Sequence, residues 1–458
     1  MNLTHQLADQ VLKTSSRPLN EPVEKMARAS LLNVLGTAIG AAADPAVCAV
    51  VQVGREHGGH PSIPIPGRTD HLDRLRAATA IGLAAHLDDY DDTHLATVIH
   101  PGAAALAAAW TTGVPSGACL GQLLAAFAMG CEVQLRVGLA MSPWHYDQGW
   151  HITGTCSPLG AATTAALLSR CGVLAIRDAI GLAADMTLGH REGFGSTIKP
   201  FHPGKGAANG VLAAALASGG LSPAGDPLGD PGGFYKVLSP RYEPEKLLAD
   251  WGTRWELLDN TFKPYPCGIV CHPAIDAAIA MSDQLRGRLD DVARIDILCH
   301  PLVAELTGNP EPRTGLQARF STIHGVAAGL ADGRAGLAQY SDGRVTDPDL
   351  ASLRSRTRLQ VSPGRSRASA AVQVHLHDGT ILSRDVRQAR GSLERPLTGE
   401  ELQEKVTDLI EPVLPGRSAA IIQCVLHQPL AEDLRHLSGL VHADPGTPRS
   451  TPLKAVAS

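Results

Sequence analysis

Apolar positions recur at helical spacing through most of the first 257 residues. Pro22, Val23, Met26, Leu31 and Leu35 lead into the small-residue run GTAIGAAA, which predicts a helix capped by Asn20 with proline in its first turn. Asp44-Pro45 interrupts it, residues 46–56 suit another helix, and GREHGGHPSIPIPGRTD reads as a Gly/Pro loop. Further helices are predicted from about Leu72 to His86, over AAALAAAW after the break at His100-Pro101-Gly102, from Ser116 to Leu139, over LGAATTAALLSRCG, and from about Leu174 to Leu188. The Gly/Pro-rich segment STIKPFHPGKG reads as a loop feeding a helix that starts near Gly206.

After about Leu257 the period changes. ARIDILCH, RTRLQVSP and SAAVQVHLHDGTILSRDV alternate as strands do, with Asp378-Gly379 as a turn, and LQARFSTIHGVAAGLADG reads as a helix between them. From Leu397 the amphipathic helical pattern returns, with Thr398 as its cap and Glu401 in capping-box position. The expected fold is mostly α: a large all-helical domain built from both chain ends (1–257 and 397–458), interrupted by a smaller α+β lid domain (258–396). The Pro/Ser/Thr-containing tail after about Val441 is expected to fray.

Composition narrows the function classes. At 458 residues the chain exceeds one usual hydrophobic core, which agrees with two domains. With 44% hydrophobic and 19% charged residues and a formal net charge of -5, it has no basic footprint for nucleic acid. No apolar run reaches membrane-span length and Met1–Ser16 lacks a signal-peptide core, so neither a membrane nor export is expected, and the cytoplasm is the expected location. Nine scattered cysteines suit a reducing compartment. Cys267 and Cys271 stand beside His272 without a second cysteine pair, so no metal site is expected there.

Three polar islands sit at Pro/Gly breaks in apolar helix: Asp89 to His100, His145 to Thr155, and Lys199 to Lys205; Lys263 makes a fourth. The first, AHLDDYDDTHLATVIHPGAAAL, places Asp88, Asp89, Asp91 and Asp92 among His86, His94 and His100 beside buried helix. Carboxylates there cost several kcal/mol each unless paired or put to use. A solvated acidic turn, or capping by Asp91 and Asp92, is the plain alternative. Lysines and histidines can neutralise a substrate with several carboxylates while an Asp or His moves a proton. No P-loop, dinucleotide fingerprint, nucleophile elbow or metal-ligand set is found, so the expected chemistry is acid–base and cofactor-free.

LDDYDDTH followed by HPGAA, then GWHITGTCSPLGAA, STIKPFHPGKGAANG, KPYPCGIVCHPAIDAA and VHLHDGTILSRDV resemble the successive motifs of the MmgE/PrpD family. The resemblance spans roughly residues 5 to 415. That family includes 2-methylcitrate dehydratases, cis-aconitate decarboxylases and iminodisuccinate epimerases. It implies a helical domain with a smaller α+β lid, an active site between them, a homodimer, and metal-free chemistry on small di- or tricarboxylates. By motif, Asp89 and Thr93 match the acidic active-site motif, His100 and His151 two catalytic histidines, and Lys199 and Lys263 two active-site lysines. Two departures stand out. The spacing before His100 is one residue longer than in the decarboxylases, and Gly268 stands where they place a histidine, with His272 the nearest substitute.

The shared step is proton removal beside a carboxylate. Lysines and protonated histidines aimed at the developing charge are worth on the order of 3 kcal/mol per donor, and a base roughly 10²- to 10⁴-fold. The expected roles are His151 or His100 as base, Lys199 and Lys263 as carboxylate clamps, Asp89 as the orienting acid, and Thr93 as a substrate hydrogen bond. His202, Tyr265, His272 and Arg319 are expected as further substrate contacts; for each, a packed or solvated role is the alternative. His145 and His190 are expected only to satisfy local hydrogen bonds.

Overall fold

The computed structural model describes residues 2–443; most of the tail after Val441 lies outside them. The chain is mostly α, with only small sheets. Helix starts follow the local chemistry. Asn20 accepts from Val23 N–H at 3.0 Å and begins the helix Glu21–Gly40, Asp73 accepts from Leu75 and Arg76 before Arg74–Leu87, and Thr398 and Glu401 form both halves of a capping box before Gly399–Ile410.

One large hydrophobic core collects residues from Leu7 to Phe262 together with Leu402 to Ala443. Two smaller clusters lie wholly within residues 265–386. The second region holds a four-stranded sheet in the order Thr357–Val361, Val292–Cys299, Ala370–Leu376, Ile381–Val386; the first pair is parallel and the others antiparallel. Gly379 turns the last hairpin at φ +86°, as the Asp-Gly signal predicts. The helix expected over LQARFSTIHGVAAGLADG is instead two, Gly315–Ala318 and Thr322–Asp332. Ser321 starts the second by accepting from His324 N–H, a local hydrogen bond that competes with helix continuation.

The segment expected as a loop before Gly206 is already helix: Ile198–Ser218 is continuous, with Pro203 inside it. Pro200 sits in the first turn, where its missing N–H costs nothing. The glycines serve packing rather than turning. A Cβ at Gly204 would lie 2.4 Å from Thr79 O, one at Gly82 would lie 2.8 Å from Gly204 Cα, and one at Gly210 would lie 2.5 Å from Pro158 O. The helix is therefore wedged against both Arg74–Leu87 and Ile152–Leu168. On it Lys199 and His202, three residues apart on one face, are buried, while Lys205, six residues on from Lys199 and turned away from it, is exposed.

The pattern also misses a short antiparallel pair, Asp92–His94 with Asn260–Phe262, which joins segments 168 residues apart and delivers Lys263 to the acidic stretch. Among the described residues no single helix is long and apolar enough to cross a membrane; Glu21–Gly40 and Pro45–His57 pass that test only as a pair bent by 85°.

Candidate active site

Four helix ends meet at one place. Arg74–Leu87 contributes His86 from its last turn and Asp89 just beyond. His100 and His151 are the N-cap residues of Pro101–Ser116 and Ile152–Leu168, and Lys199 lies in the first turn of Ile198–Ser218. Three helix N-termini thus place positive potential on the cluster.

Asp89 is the hub. Its Oδ1 lies 2.5 Å from Lys199 Nζ, 3.0 Å from Lys263 Nζ and 3.9 Å from His100 Nε2. Asp89 has φ +50°, a left-handed conformation that aspartate tolerates better than most residues and that persists where its surroundings hold it. Burial pushes its carboxyl up, but the two ammonium groups and His100 hold it well below the usual range. Lys263 spends its donors within the protein, on Asp89 Oδ1, Asp89 O and Cys267 O. Lys199 donates to Asp89 and to His86 Nε2 at 3.1 Å, which leaves one N–H for a ligand. Burial lowers its amine against the opposing pull of Asp89.

An ammonium is donor only, so His86 Nε2 accepts and its Nδ1–H donates to Asp91 Oδ2 at 2.7 Å. Burial lowers His86 to about 4, so the ring stays neutral. Asp91 Oδ1 faces His100 Nδ1 at 3.2 Å, and Thr93 Oγ1 hydrogen-bonds to the same nitrogen at 3.2 Å. Of these two contacts only the Thr93 one is well aligned. Burial raises Asp91, but the two imidazoles at its oxygens keep it ionised. His100 is lowered, mainly by burial, and His151 well below its usual value by burial and then Lys199. The site therefore sets neutral imidazoles beside buried ammonium groups, which suits bases that deliver charge to a carboxylate clamp.

Thr93, His100, His151, Lys199, Lys263 and Asp89 are thus brought together, as expected. The remaining candidates are placed differently. His202 hydrogen-bonds His151, Nδ1 to Nδ1 at 2.9 Å. Tyr265 donates its hydroxyl to Asp276 Oδ1 at 2.5 Å, with the ring in the small cluster around Cys267. Arg319 pairs with Asp88 Oδ1 at 2.5 Å and donates to Leu87 O at 3.1 Å, capping the helix that leads to Asp89. His272 is buried with Nε2 unpartnered, lowered to about 3 by burial and then by Lys263. A Cβ at Gly268 would lie 2.9 Å from Thr307 Cγ2, so a side chain there would require Thr307 to shift. His145 bonds Leu238 O and Thr155 Oγ1 through its two nitrogens, a satisfied core histidine.

Asp92 fills the plain role: its Oδ1 accepts from Gly102 N–H at the start of Pro101–Ser116, and its other oxygen from Ser30 and Asn260. Sequence reasoning assigned no role to His86, and to Asp91 only that of a helix cap, whereas its carboxylate accepts from His86. The signal was a histidine closing a helix buried on all sides, RLRAATAIGLAAHL, where an unpartnered imidazole would be costly. Lys405 was missed as well; its position on an ordinary amphipathic helix gave no sign.

His86, Asp89, Asp91 and His100 have ligand atoms close enough for a metal ion, but Lys199 Nζ already stands between Asp89 and His86 as the counter-charge. His94, Glu256 and Asp259 form a second such group, with Arg254 3.2 Å from Glu256 and 3.4 Å from Asp259. Phe194 and Phe320 stand 5.6 and 5.7 Å from Lys199 Nζ. Both rings also line a cavity of about 560 Å³ with Glu305, Asn309, Arg313 and Gln317.

Comparison with known proteins agrees with the motifs. The MmgE/PrpD N-terminal domain matches residues 5–247 and the MmgE/PrpD C-terminal domain residues 265–428. Cis-aconitate decarboxylase of Mus musculus is 26% identical over 88% of this chain and 86% of its own length. The Homo sapiens protein of the same name is 27% identical over 84% and 83%, and that of Aspergillus terreus 25% identical over 71% and 72%. With both domain models matched in order over most of its length, the chain belongs to the MmgE/PrpD family.

Proposed function

We propose that the protein is a lyase that acts on a small tri- or dicarboxylate by taking a proton from the carbon beside a carboxylate, with dehydration of a citrate-like hydroxy acid as its reaction. The observation that carries this reading is the convergence of Lys199 and Lys263 on Asp89 Oδ1 at 2.5 and 3.0 Å, beside neutral His100 and His151. Removing the proton puts a second negative charge on a substrate already anionic. Buried ammonium groups and three helix N-termini offset that charge where water cannot. In the scheme, His151 is the base and takes the C–H proton, Lys199 offers its spare N–H to the substrate carboxylate, and His100, held by Thr93 and Asp91, takes up a proton as the polyanionic substrate binds and gives it to the leaving hydroxyl, which departs as water. Every step uses this chain's own side chains, so we place no cofactor in it. We propose a cytoplasmic homodimer as the working form.

A second reading, decarboxylation of cis-aconitate, is favoured by the relatives of that name. Gly268, which leaves no side chain where the resemblance to the decarboxylases places a histidine, weighs against it. A third, epimerisation beside a carboxylate, would use the same base. Incubation with a panel of di- and tricarboxylic acids in deuterated water tests all three. Loss of water supports the dehydratase, release of carbon dioxide the decarboxylase, and deuterium uptake with an unchanged skeleton the epimerase. Silence across the panel would remove the catalytic reading.

A further inference from the structure

The contact between His151 and His202 has chemical content beyond packing. Their Nδ1 atoms are 2.9 Å apart. Burial lowers His202 to about 4 and His151 well below its usual value, so both rings are neutral near pH 7. A hydrogen bond between two neutral ring nitrogens needs one N–H and one lone pair, so the rings hold opposite tautomers. The backbone enforces the contact. His151 N–H donates to Gly189 O at 3.1 Å. Gly189 has φ +117°, and a Cβ there would lie 3.0 Å from His202 Nδ1. A Cβ at Gly154 would lie 2.5 Å from Leu188 O and 3.0 Å from His202 Cβ. Two glycines thus leave the space in which the rings meet. The far nitrogen of His151, Nε2, makes no hydrogen bond to any described residue, and its ring lies 5.9 Å from His86 on the side of the cluster.

We propose that His202 is the positioning residue of the base: its Nδ1 lone pair accepts from His151 Nδ1–H, which fixes the tautomer whose Nε2 can take a proton from a bound polycarboxylate. The proposal rests on the reading of His151 as base. In the step, the proton moves to His151 Nε2 and the C–H electron pair stays on the carbon beside the carboxylate. The Nδ1–H bond stays on His151, and His202 stabilises the imidazolium that forms. A carboxylate does this behind the histidine of a Ser-His-Asp triad. Here the acceptor is a neutral ring, which leaves the surrounding charge balance unaltered. It also gives one helix end two tasks, since Lys199 and His202 lie on the same face of Ile198–Ser218.

Two variants and one spectrum test this. His202→Phe removes the acceptor, and His202→Gln keeps one in its side-chain carbonyl. The expected result is a fall in kcat of about 10²-fold for His202→Phe with KM within about twofold, and recovery of most of that loss in His202→Gln. Histidine side-chain 15N correlation spectra of the substrate-free protein should show His151 protonated on Nδ1, and should lose that preference in His202→Phe. A raised KM with unchanged kcat would put His202 on the substrate instead. Unchanged kinetics, or wild-type His151 protonated on Nε2, would overturn the proposal. If the wild-type enzyme turns over nothing in the panel, the proposed function falls, while the spectrum still decides the tautomer.

Discussion

Lys405, on the C-terminal helix Gly399–Ile410, donates to the carbonyl oxygen of Tyr90 at 2.6 Å, with its ammonium 3.8 Å from the centre of that tyrosine's ring. The same Nζ reaches Lys263 O at 2.9 Å. It therefore ties together the two segments that carry Asp89 and Lys263. Among the described residues no carboxylate oxygen forms an ion pair with it, and burial lowers its amine well below the usual range. Lys405→Met would strand two buried carbonyls, each costing about 1–3 kcal/mol, partly offset because the amine's own desolvation is relieved. We expect a net loss of about 2 kcal/mol in urea unfolding and a reduced kcat. An unchanged midpoint and unchanged kcat would show that the bridge does neither.

Asp89 holds two buried ammonium groups. Asp89→Asn leaves both without a counter-charge, and breaking a buried pair from one side costs about 3–5 kcal/mol. Denaturation should read that loss, and turnover should fall by at least about 10²-fold. A variant as stable as the wild type would mean the lysines find other partners.

Acid should weaken the fold before it protonates ordinary carboxylates. His86, His145 and His324 are buried and lowered from 6.5 to about 4. Between those values the unfolded chain binds the protons, so stability is complete above pH 6.5 and is lost as pH falls toward 4, on the order of 3 kcal/mol for each ring. Asp92, raised to about 6 by burial and then Asp91, acts in the opposite sense between about pH 6 and its ordinary value of 3.8. Three rings outweigh one carboxyl. Urea unfolding at pH 7.5, 6 and 5 should show a steady decline; a flat profile would count against neutral buried histidines.

Arg319 separates two roles cleanly. Its pairing with Asp88 and Leu87 O predicts that Arg319→Ala lowers stability by about 1–3 kcal/mol, and lowers kcat through the displaced Asp89. A raised KM with unaltered stability would instead place its guanidinium on the substrate.

Lys199 Nζ stands between Asp89 and His86, where a cation would bind. Turnover should therefore survive exhaustive dialysis against a chelator. Loss of activity, restored by one divalent ion, would replace the lysine-based scheme.

Much was legible in the chain because it is local. Helical periodicity, the Asn20 and Thr398 caps, the Asp378-Gly379 turn and the change of period after Leu257 all depend on neighbours within a few residues. The resemblance to the MmgE/PrpD motifs named Asp89, Thr93, His100, His151, Lys199 and Lys263, and the cost of burying charged groups without partners or use drew attention to the same polar islands. What no local rule could decide was which groups touch. The strand pair that brings Lys263 to Asp89 spans 168 residues, and the Lys405 bridge to Tyr90 spans 315. Tyr265, Arg319 and His202 carry the same chemistry in the sequence as a substrate ligand would. Only packing hands them to Asp276, Asp88 and His151, because a hydrogen bond is set by distance and direction, and both are fixed by how glycine-lined helices close on one another.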